Sequence, residues 1–437
     1  MPGAPLTVHP GPVRGGVLGV PGDKSVSHRA LLIAALAEGE TRIRGLLESE
    51  DCLATVAALR ALGVAVEKTG EDWRVVGRGM DGWRAPSGVI DCGNSGTAMR
   101  LLAGMLAGQP FVATLTGDAS LRSRPMRRVA EPLGLMGAGI ETTPAGTAPL
   151  IVHGSAHLEA IEYRLPVPSA QVKSAILLAA LHAEGETRVI EPGISRDHTE
   201  IMLTAFGVPV STEGNTVRLH GPARPVSPGL LEVPGDLSSA AFFLVLAALS
   251  SGCRIELRNV GVNPTRDGVL RLLRRMGANI EVRNLRETAA GEPVADLVAG
   301  YAPLRGIVIG PEDVALAIDE IPVLLIAAAQ AQGRTVLRGA GELRVKESDR
   351  LAVMARNLRA LGISVEEYED GLAVEGGRLR GGEVDAAGDH RIAMAFAVAA
   401  TVADAPVTIM NSDNIRTSYP GFAADARQLG VDVREQP

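Results

Sequence analysis

Hydrophobic residues run nearly unbroken through six stretches of the chain: Leu31–Leu36, Leu101–Leu106, Ala175–Leu181, Ala240–Leu249, Leu324–Ala329 and Ile392–Val398. A helix with no polar face belongs inside a domain. Each run follows a break with capping candidates: Pro21–Ser25, Gly93–Thr97, Pro168–Ser169, Pro234–Ser238, Ile318–Pro322 and Gly388–Asp389. Further on, a glycine before a β-branched run ends a second helix in each unit, as at Gly63-Val64, Gly207-Val208 and Gly362-Ile363. The pattern predicts helix, strand, helix, strand with short strands between, recurring at roughly 65–85 residues, longer than solenoid repeats of up to about 50.

Three buried helices packed together with sheets outside would use three units, so six units predict an α/β protein of two domains. A length of 437 residues fits that division. The expected domains are 21–235, and 1–20 joined to 236–437, with a strand at Val13–Val20 and a hinge at the two crossings. The helix heads in each domain should converge at one end. Two domains facing across those ends would trap an anionic ligand between positive helix dipoles.

Composition narrows the function. Hydrophobic residues make up 46% and charged residues 21%, ordinary for a globular enzyme. Aromatics are only 3%, so the cores must be aliphatic and single-strand nucleic-acid stacking is disfavoured. A net charge of −7 argues against a general nucleic-acid surface. Cys52, Cys92 and Cys253 show neither CxxC spacing nor a histidine cluster, which predicts no zinc site and a reducing compartment. No apolar run is long enough to span a bilayer, and Met1–Val20 lacks a leader pattern, so a cytoplasmic protein is expected.

The sharpest chemistry lies at Pro21-Gly22-Asp23-Lys24-Ser25-Val26-Ser27-His28-Arg29. Asp23 or Ser25 can cap the helix, leaving Lys24 and Ser25 on its first turn and Arg29 on the same face one turn later. Free backbone N–H groups there favour an anion. The only lysines are Lys24, Lys68, Lys173 and Lys346 against 43 basic residues in all, so a lysine kept here points to a compact ammonium. A capped helix with solvated charges is the bland alternative. Similar weighing applies elsewhere. Gly93–Arg100 is a glycine-bearing helix start, and Arg122–Arg128 holds four arginines that as a cluster alone would more often form a solvated face. Ser169, Gln171 and Lys173 place polar groups at an otherwise apolar head, where a ligand is a natural partner. Asp319-Glu320 could be a plain cap. Lys346, Glu347 and Arg350 crowd one turn, and Asp389-His390-Arg391 puts three titratable groups, His390 among them, before an apolar helix.

Taken together, Pro21–Leu32, Gly93–Arg100, Ser169–Lys173, Lys346–Leu351 and Asp389–Met394 resemble the enolpyruvyl transferases, and among them those acting on shikimate 3-phosphate. The resemblance covers essentially the whole chain. It implies the two-domain inside-out α/β barrel and transfer of enolpyruvyl from phosphoenolpyruvate to the 5-hydroxyl of shikimate 3-phosphate, on the way to chorismate and aromatic amino acids. It implies that Lys24, Ser25, Arg29, Ser169, Gln171, Arg196, Asp319 and Lys346 bind shikimate 3-phosphate. Lys24, Asn94, Gly96, Arg124, Gln171, Arg350 and Arg391 are implied to bind phosphoenolpyruvate. Asp319 would serve as base for the hydroxyl, and Glu347, with Lys24 as competitor, would handle the proton at C3. The reaction needs one acid and one base that exchange roles between addition and elimination. Phosphate leaves by C–O cleavage, so neither metal nor cofactor is expected. Domain closure would keep water from the cation-like centre, and the working form is expected to be a monomer.

Two departures stand out: Ala170 replaces a second serine, and Thr417, after Arg416, occupies a position where some members carry lysine. Ser95 and Gly96 leave room for the inhibitor glyphosate. A transferase acting on UDP-N-acetylglucosamine is the nearest rival, but Gly117–Leu121 has Ala119 and lacks the loop cysteine usual there. A non-catalytic anion-binding homologue is the rival from another class.

Overall fold

The structure is a computed structural model and describes residues 5–435. The chain divides into two compact units. One holds Gly22–Pro234 and Glu287–Glu292; the other holds Gly235–Arg286, the described residues through Pro21 and those from Pro293 onward. Residues 1–4 and 436–437, which fall in the expected second domain, lie outside the described residues.

In the Gly22–Pro234 unit the apolar runs form the helices Lys24–Leu36, Gly96–Ala107 and Ala170–Ala180, buried along nearly their whole length. Small residues let these helices meet closely. A Cβ on Gly104 would stand 2.3 Å from the Ala175 carbonyl oxygen, so the contact is backbone against backbone. This is why an Ala- and Gly-rich core can stay dense with so few aromatics. Outer helices follow at Glu50–Ala61, Arg127–Leu135 and His198–Ala205.

Three sheets complete the unit. In the first, Leu230–Glu232 runs parallel to Glu40–Arg44, which pairs antiparallel with Asp72–Val76 and so on to Ala65–Thr69. The second repeats the order with Ile90–Asp91, Val112–Thr116, Leu150–His153 and Gly139–Glu141. The third repeats it around Ala183–Ile190.

The other unit has the same plan. Its inner helices are Leu237–Leu249, Ile321–Ala329 and His390–Ala400, and its outer ones include Gly268–Arg275, Arg350–Ala360 and Phe422–Gln428. Its core differs in holding the aromatic cluster of Phe243, Phe422 and Tyr419, with ring centroids 5.7–6.1 Å apart.

The N-terminal strand is where the fold departs from expectation. Val13–Val20 shrinks to Gly16–Leu18, running parallel to Arg254–Gly261. Gly15 and Gly16 take φ of 74° and 144°, a bend that breaks a longer strand. An unforeseen strand, Leu6–His9, lies antiparallel between Val407–Met410 and Asp432–Glu435. Among the described residues no helix is long and apolar enough to cross a membrane.

Candidate active site

In the Gly22–Pro234 unit, Asp23 is the cap. Its carboxylate accepts from Val26 N at 2.9 Å, which puts Lys24 and Ser25 half-buried on the first turn. Lys24 Nζ donates to Asp51 Oδ2 at 3.2 Å. One turn on, Arg29 points inward and is 2% exposed. Its Nε donates to Thr199 Oγ1 at 2.7 Å, Nη1 to the Ser25 carbonyl at 3.0 Å and Nη2 to Ser174 Oγ at 2.8 Å. Burial lowers its pKa to about 10, which still leaves it charged at neutral pH.

His28 sits between Thr55 Oγ1, 2.8 Å from Nδ1, and Ser95 Oγ, 3.2 Å from Nε2. Burial, then the charges of Lys24 and Arg29, lower its pKa to about 3. A neutral ring protonated on Nδ1 satisfies both contacts, since Ser95 Oγ already accepts from Ala98 N and has its proton to donate.

Ser95 caps the helix Gly96–Ala107, and beside it Asn94 is held from both sides. Its Oδ1 accepts from Arg124 Nη2 at 2.6 Å and its Nδ2 donates to Asp118 Oδ2 at 2.7 Å. A Cβ on Gly96 would lie 3.0 Å from Arg100 Nη1 and 3.3 Å from Arg124 Nη1, so the glycine makes room between two guanidiniums. Arg100 Nη1 donates to Gln171 Oε1, and Gln171 Nε2 donates to Thr97 Oγ1 at 2.9 Å. Ser169 caps the Gln171 helix. Arg196 is half-buried on the turn before His198–Ala205, near enough that its charge works against that of Arg29.

Two details of this half need correction. Pro125 lies between Ala119–Ser123 and Arg127–Leu135, whose cap is Met126. Of the clustered arginines, Arg122 and Arg127 are exposed, while Arg124 is turned in at 6%. Lys173 is also no ligand group. Its side chain is 1% exposed, and the ammonium lies 2.8 Å from Glu191 and 2.7 Å from Glu200.

In the other unit, Arg350 organises the polar residues. It begins the helix Arg350–Ala360, capped by Asp349, and is 1% exposed. Nε donates to Asp389 Oδ2 at 2.8 Å, Nη2 to Glu347 Oε2 at 2.6 Å, and Nη1 stands 3.6 Å from Asp319 Oδ1. Burial opposes its charge, but Asp389 and Glu347 outweigh that and raise its pKa. Asp389 also caps His390–Ala400 by accepting from Arg391 N. From that first turn Arg391 Nη1 donates to the Asp319 carbonyl at 3.0 Å, and Nη2 lies 3.7 Å from its carboxylate. His390, on the same turn, is buried. Lys346 Nζ is 3.6 Å from Glu342 Oε1. Burial lowers its pKa, with Arg350 acting in the same direction and Glu342 and Asp319 against it. Asp319, Glu347, Arg350 and Arg391 thus form one linked set, in which carboxylates and guanidiniums fix one another's geometry.

The family model for EPSP synthase (3-phosphoshikimate 1-carboxyvinyltransferase) matches residues 8–425. The chain belongs to the EPSP synthase family. It is 57% identical to the 3-phosphoshikimate 1-carboxyvinyltransferase of Halorhodospira halophila, covering 99% of this chain and 98% of the relative. It is 54% identical to that of Methylococcus capsulatus, covering 98% of each. The EPSP synthase structure from Acinetobacter baumannii superposes with a TM-score of 0.88 at 48% identity, covering 99% of this chain and 100% of that one. The enolpyruvyl transferase NikO from Streptomyces tendae shares the fold, with a TM-score of 0.81 at 20% identity over 100% of this chain and 99% of that one.

The EPSP synthase resemblance gave no role to several participants, namely Asp51, Thr55, Arg100, Asp118, Ser174, Thr199 and Asp389. Ser174 carried a signal, a hydroxyl inside an apolar helix. Arg100 and Asp389 stood at the ends of two of the motifs, and Asp51, Thr55, Asp118 and Thr199 looked like ordinary surface or cap residues. At the departure near the C-terminus, Arg416 is exposed and pairs with Asp413 at 3.7 Å, while Thr417 is buried and donates to the Asn414 carbonyl at 2.7 Å.

Proposed function

We propose that this protein performs the reaction its relatives are named for, transferring the enolpyruvyl group of phosphoenolpyruvate to the 5-hydroxyl of shikimate 3-phosphate with release of phosphate. The observation that carries the reading beyond the family match is the set around Arg350, where two carboxylates, Asp319 and Glu347, are fixed against two buried guanidiniums. Addition requires the hydroxyl to lose a proton as its oxygen bonds to C2, while C3 gains one. Elimination breaks the C2–O bond to phosphate and returns the C3 proton. Asp319 is assigned to the hydroxyl and Glu347 to C3, with Lys24 as the alternative donor.

Arg124, Arg350, Arg391 and Lys346 supply fixed positive charge for carboxylate and phosphate. Asn94, Gly96 and Gln171 complete the phosphoenolpyruvate side. Lys24, Ser25, Arg29, Ser169, Gln171 and Arg196 hold shikimate 3-phosphate. The three cysteines are unpaired and buried, which supports a reducing, cytoplasmic setting; the working form is assigned as a monomer.

Phosphate release from phosphoenolpyruvate should depend strictly on shikimate 3-phosphate. Release that instead needs UDP-N-acetylglucosamine, or none with either acceptor, contradicts the assignment. Millimolar glyphosate should inhibit, and undiminished turnover at that concentration would remove it from the ligands of the Gly96 head.

A further inference from the structure

Lys173 spends the most deeply buried ammonium in the Gly22–Pro234 unit on two glutamates, and neither glutamate is assigned a role in the reaction. Its Nζ lies 2.8 Å from Glu191 Oε2, 2.7 Å from Glu200 Oε1 and 3.5 Å from the Ser195 carbonyl. Ser195 Oγ donates to the second oxygen of Glu191. These contacts sit immediately before and a few residues after Arg196, so both sides of its turn are tied to one buried cation. A buried ion pair seldom repays its desolvation in stability alone, and replacing it with apolar residues is often neutral or better. The next residue, Ser174, accepts from Arg29 Nη2 at 2.8 Å and lies 2.7 Å from Thr199 Oγ1. Two cations and two carboxylates are therefore balanced beneath the head that presents Ser169 and Gln171.

We propose that Lys173, through Glu191 and Ser195, is a positioning residue that fixes the turn bearing Arg196 and thereby sets the affinity for the phosphate of shikimate 3-phosphate. The proposal rests on the function assigned above. Lys173 touches no substrate; it keeps the Arg196 turn from paying an ordering cost when the ligand arrives.

The test compares the wild type with Lys173→Met, Ser195→Ala, Arg196→Ala and the Ser195→Ala/Arg196→Ala pair. Steady-state KM values for both substrates are measured alongside calorimetric binding of shikimate 3-phosphate and of unphosphorylated shikimate. Lys173→Met should raise the KM for shikimate 3-phosphate about tenfold and Ser195→Ala about threefold, leaving the phosphoenolpyruvate KM and shikimate binding within about twofold. The double variant should bind no worse than Arg196→Ala alone, because residues acting through one contact are not additive. Equal rises in both KM values, equal weakening of shikimate, or a double variant showing the product of the single effects would overturn the proposal. Should Lys173→Met fail to fold, the Ser195→Ala series decides alone. A wild type that does not bind shikimate 3-phosphate contradicts the assigned function; a wild type that binds it, with variants failing as described, contradicts only this inference.

Discussion

Pro21-Gly22-Asp23-Lys24-Ser25 and Pro234-Gly235-Asp236-Leu237-Ser238 share a Pro-Gly-Asp-x-Ser head, and each opens a buried inner helix capped by its aspartate. The fourth position separates them. Lys24 keeps its side chain 16% exposed, whereas Leu237 is wholly buried. Further along, the first head has His28 and Arg29 where the second has Ala241 and Phe242. The second head recruits its cation from elsewhere. Arg266, 2% exposed, donates to Asp236 at 2.9 Å and to Ser238 Oγ at 2.8 Å, and Ser238 Oγ donates in turn to Glu320. One cap scaffold thus serves two ends. Where the cation belongs to the head and reaches its surface, the head can meet a ligand; where it is internal and matched by Asp236 and Glu320, the head holds the core together.

The largest effect expected from this contrast is on stability at the second head. Arg266→Leu leaves Asp236 and Glu320 without their guanidinium and should cost about 3–5 kcal/mol in denaturant unfolding. A loss below about 1 kcal/mol would mean the cluster is not structural. Lys24→Leu, which copies the second head onto the first, should reverse the pattern. It should lower kcat/KM about 100-fold, some 2.7 kcal/mol, while unfolding stays near wild type. Retained activity would erase the distinction.

The smallest effect concerns His28, which has no counterpart at the second head. Its folded pKa of about 3 lies below the ordinary 6.5, so the unfolded chain takes up a proton that the folded one refuses. Stability from this source is complete above pH 6.5 and drains as pH falls toward 3, at about 1.4 kcal/mol per pH unit, or about 2 kcal/mol by pH 5. His182, lowered to about 4 by burial, adds in the same direction. Urea unfolding across pH 7 to 5 should show a His28→Gln slope shallower by about one proton. An unchanged slope would mean that His28 is not held neutral.

Much of this was legible in the sequence because its signals are local. An apolar run with a break and a capping residue before it needs no tertiary information, so the six inner helices and the first-turn positions of Lys24 and Ser25 could be read directly. The order within each sheet could not, because Leu6–His9 pairs with Val407–Met410 about 400 residues away and no local pattern encodes that partner. The same limit explains Lys173. A lysine at a helix head looks like a ligand group until Glu191 and Glu200 are seen to occupy it. Arg124 shows the opposite case, since a run of arginines by itself reads as a solvated face; the resemblance picked Arg124 out of it, and the packing turns that side chain inward.

The central claim is that Asp319 and Glu347, set by Arg350 and Arg391, handle the protons while the Lys24 and Gly96 heads hold the anions. Reaction in deuterated water reads this most directly, through the deuterium that enters the C3 methylene of recovered phosphoenolpyruvate and of product. The wild type should incorporate deuterium only when shikimate 3-phosphate is present, and Glu347→Gln should lose about 100-fold or more of the exchange rate while still binding both substrates. Exchange by Glu347→Gln at the wild-type rate would contradict the account.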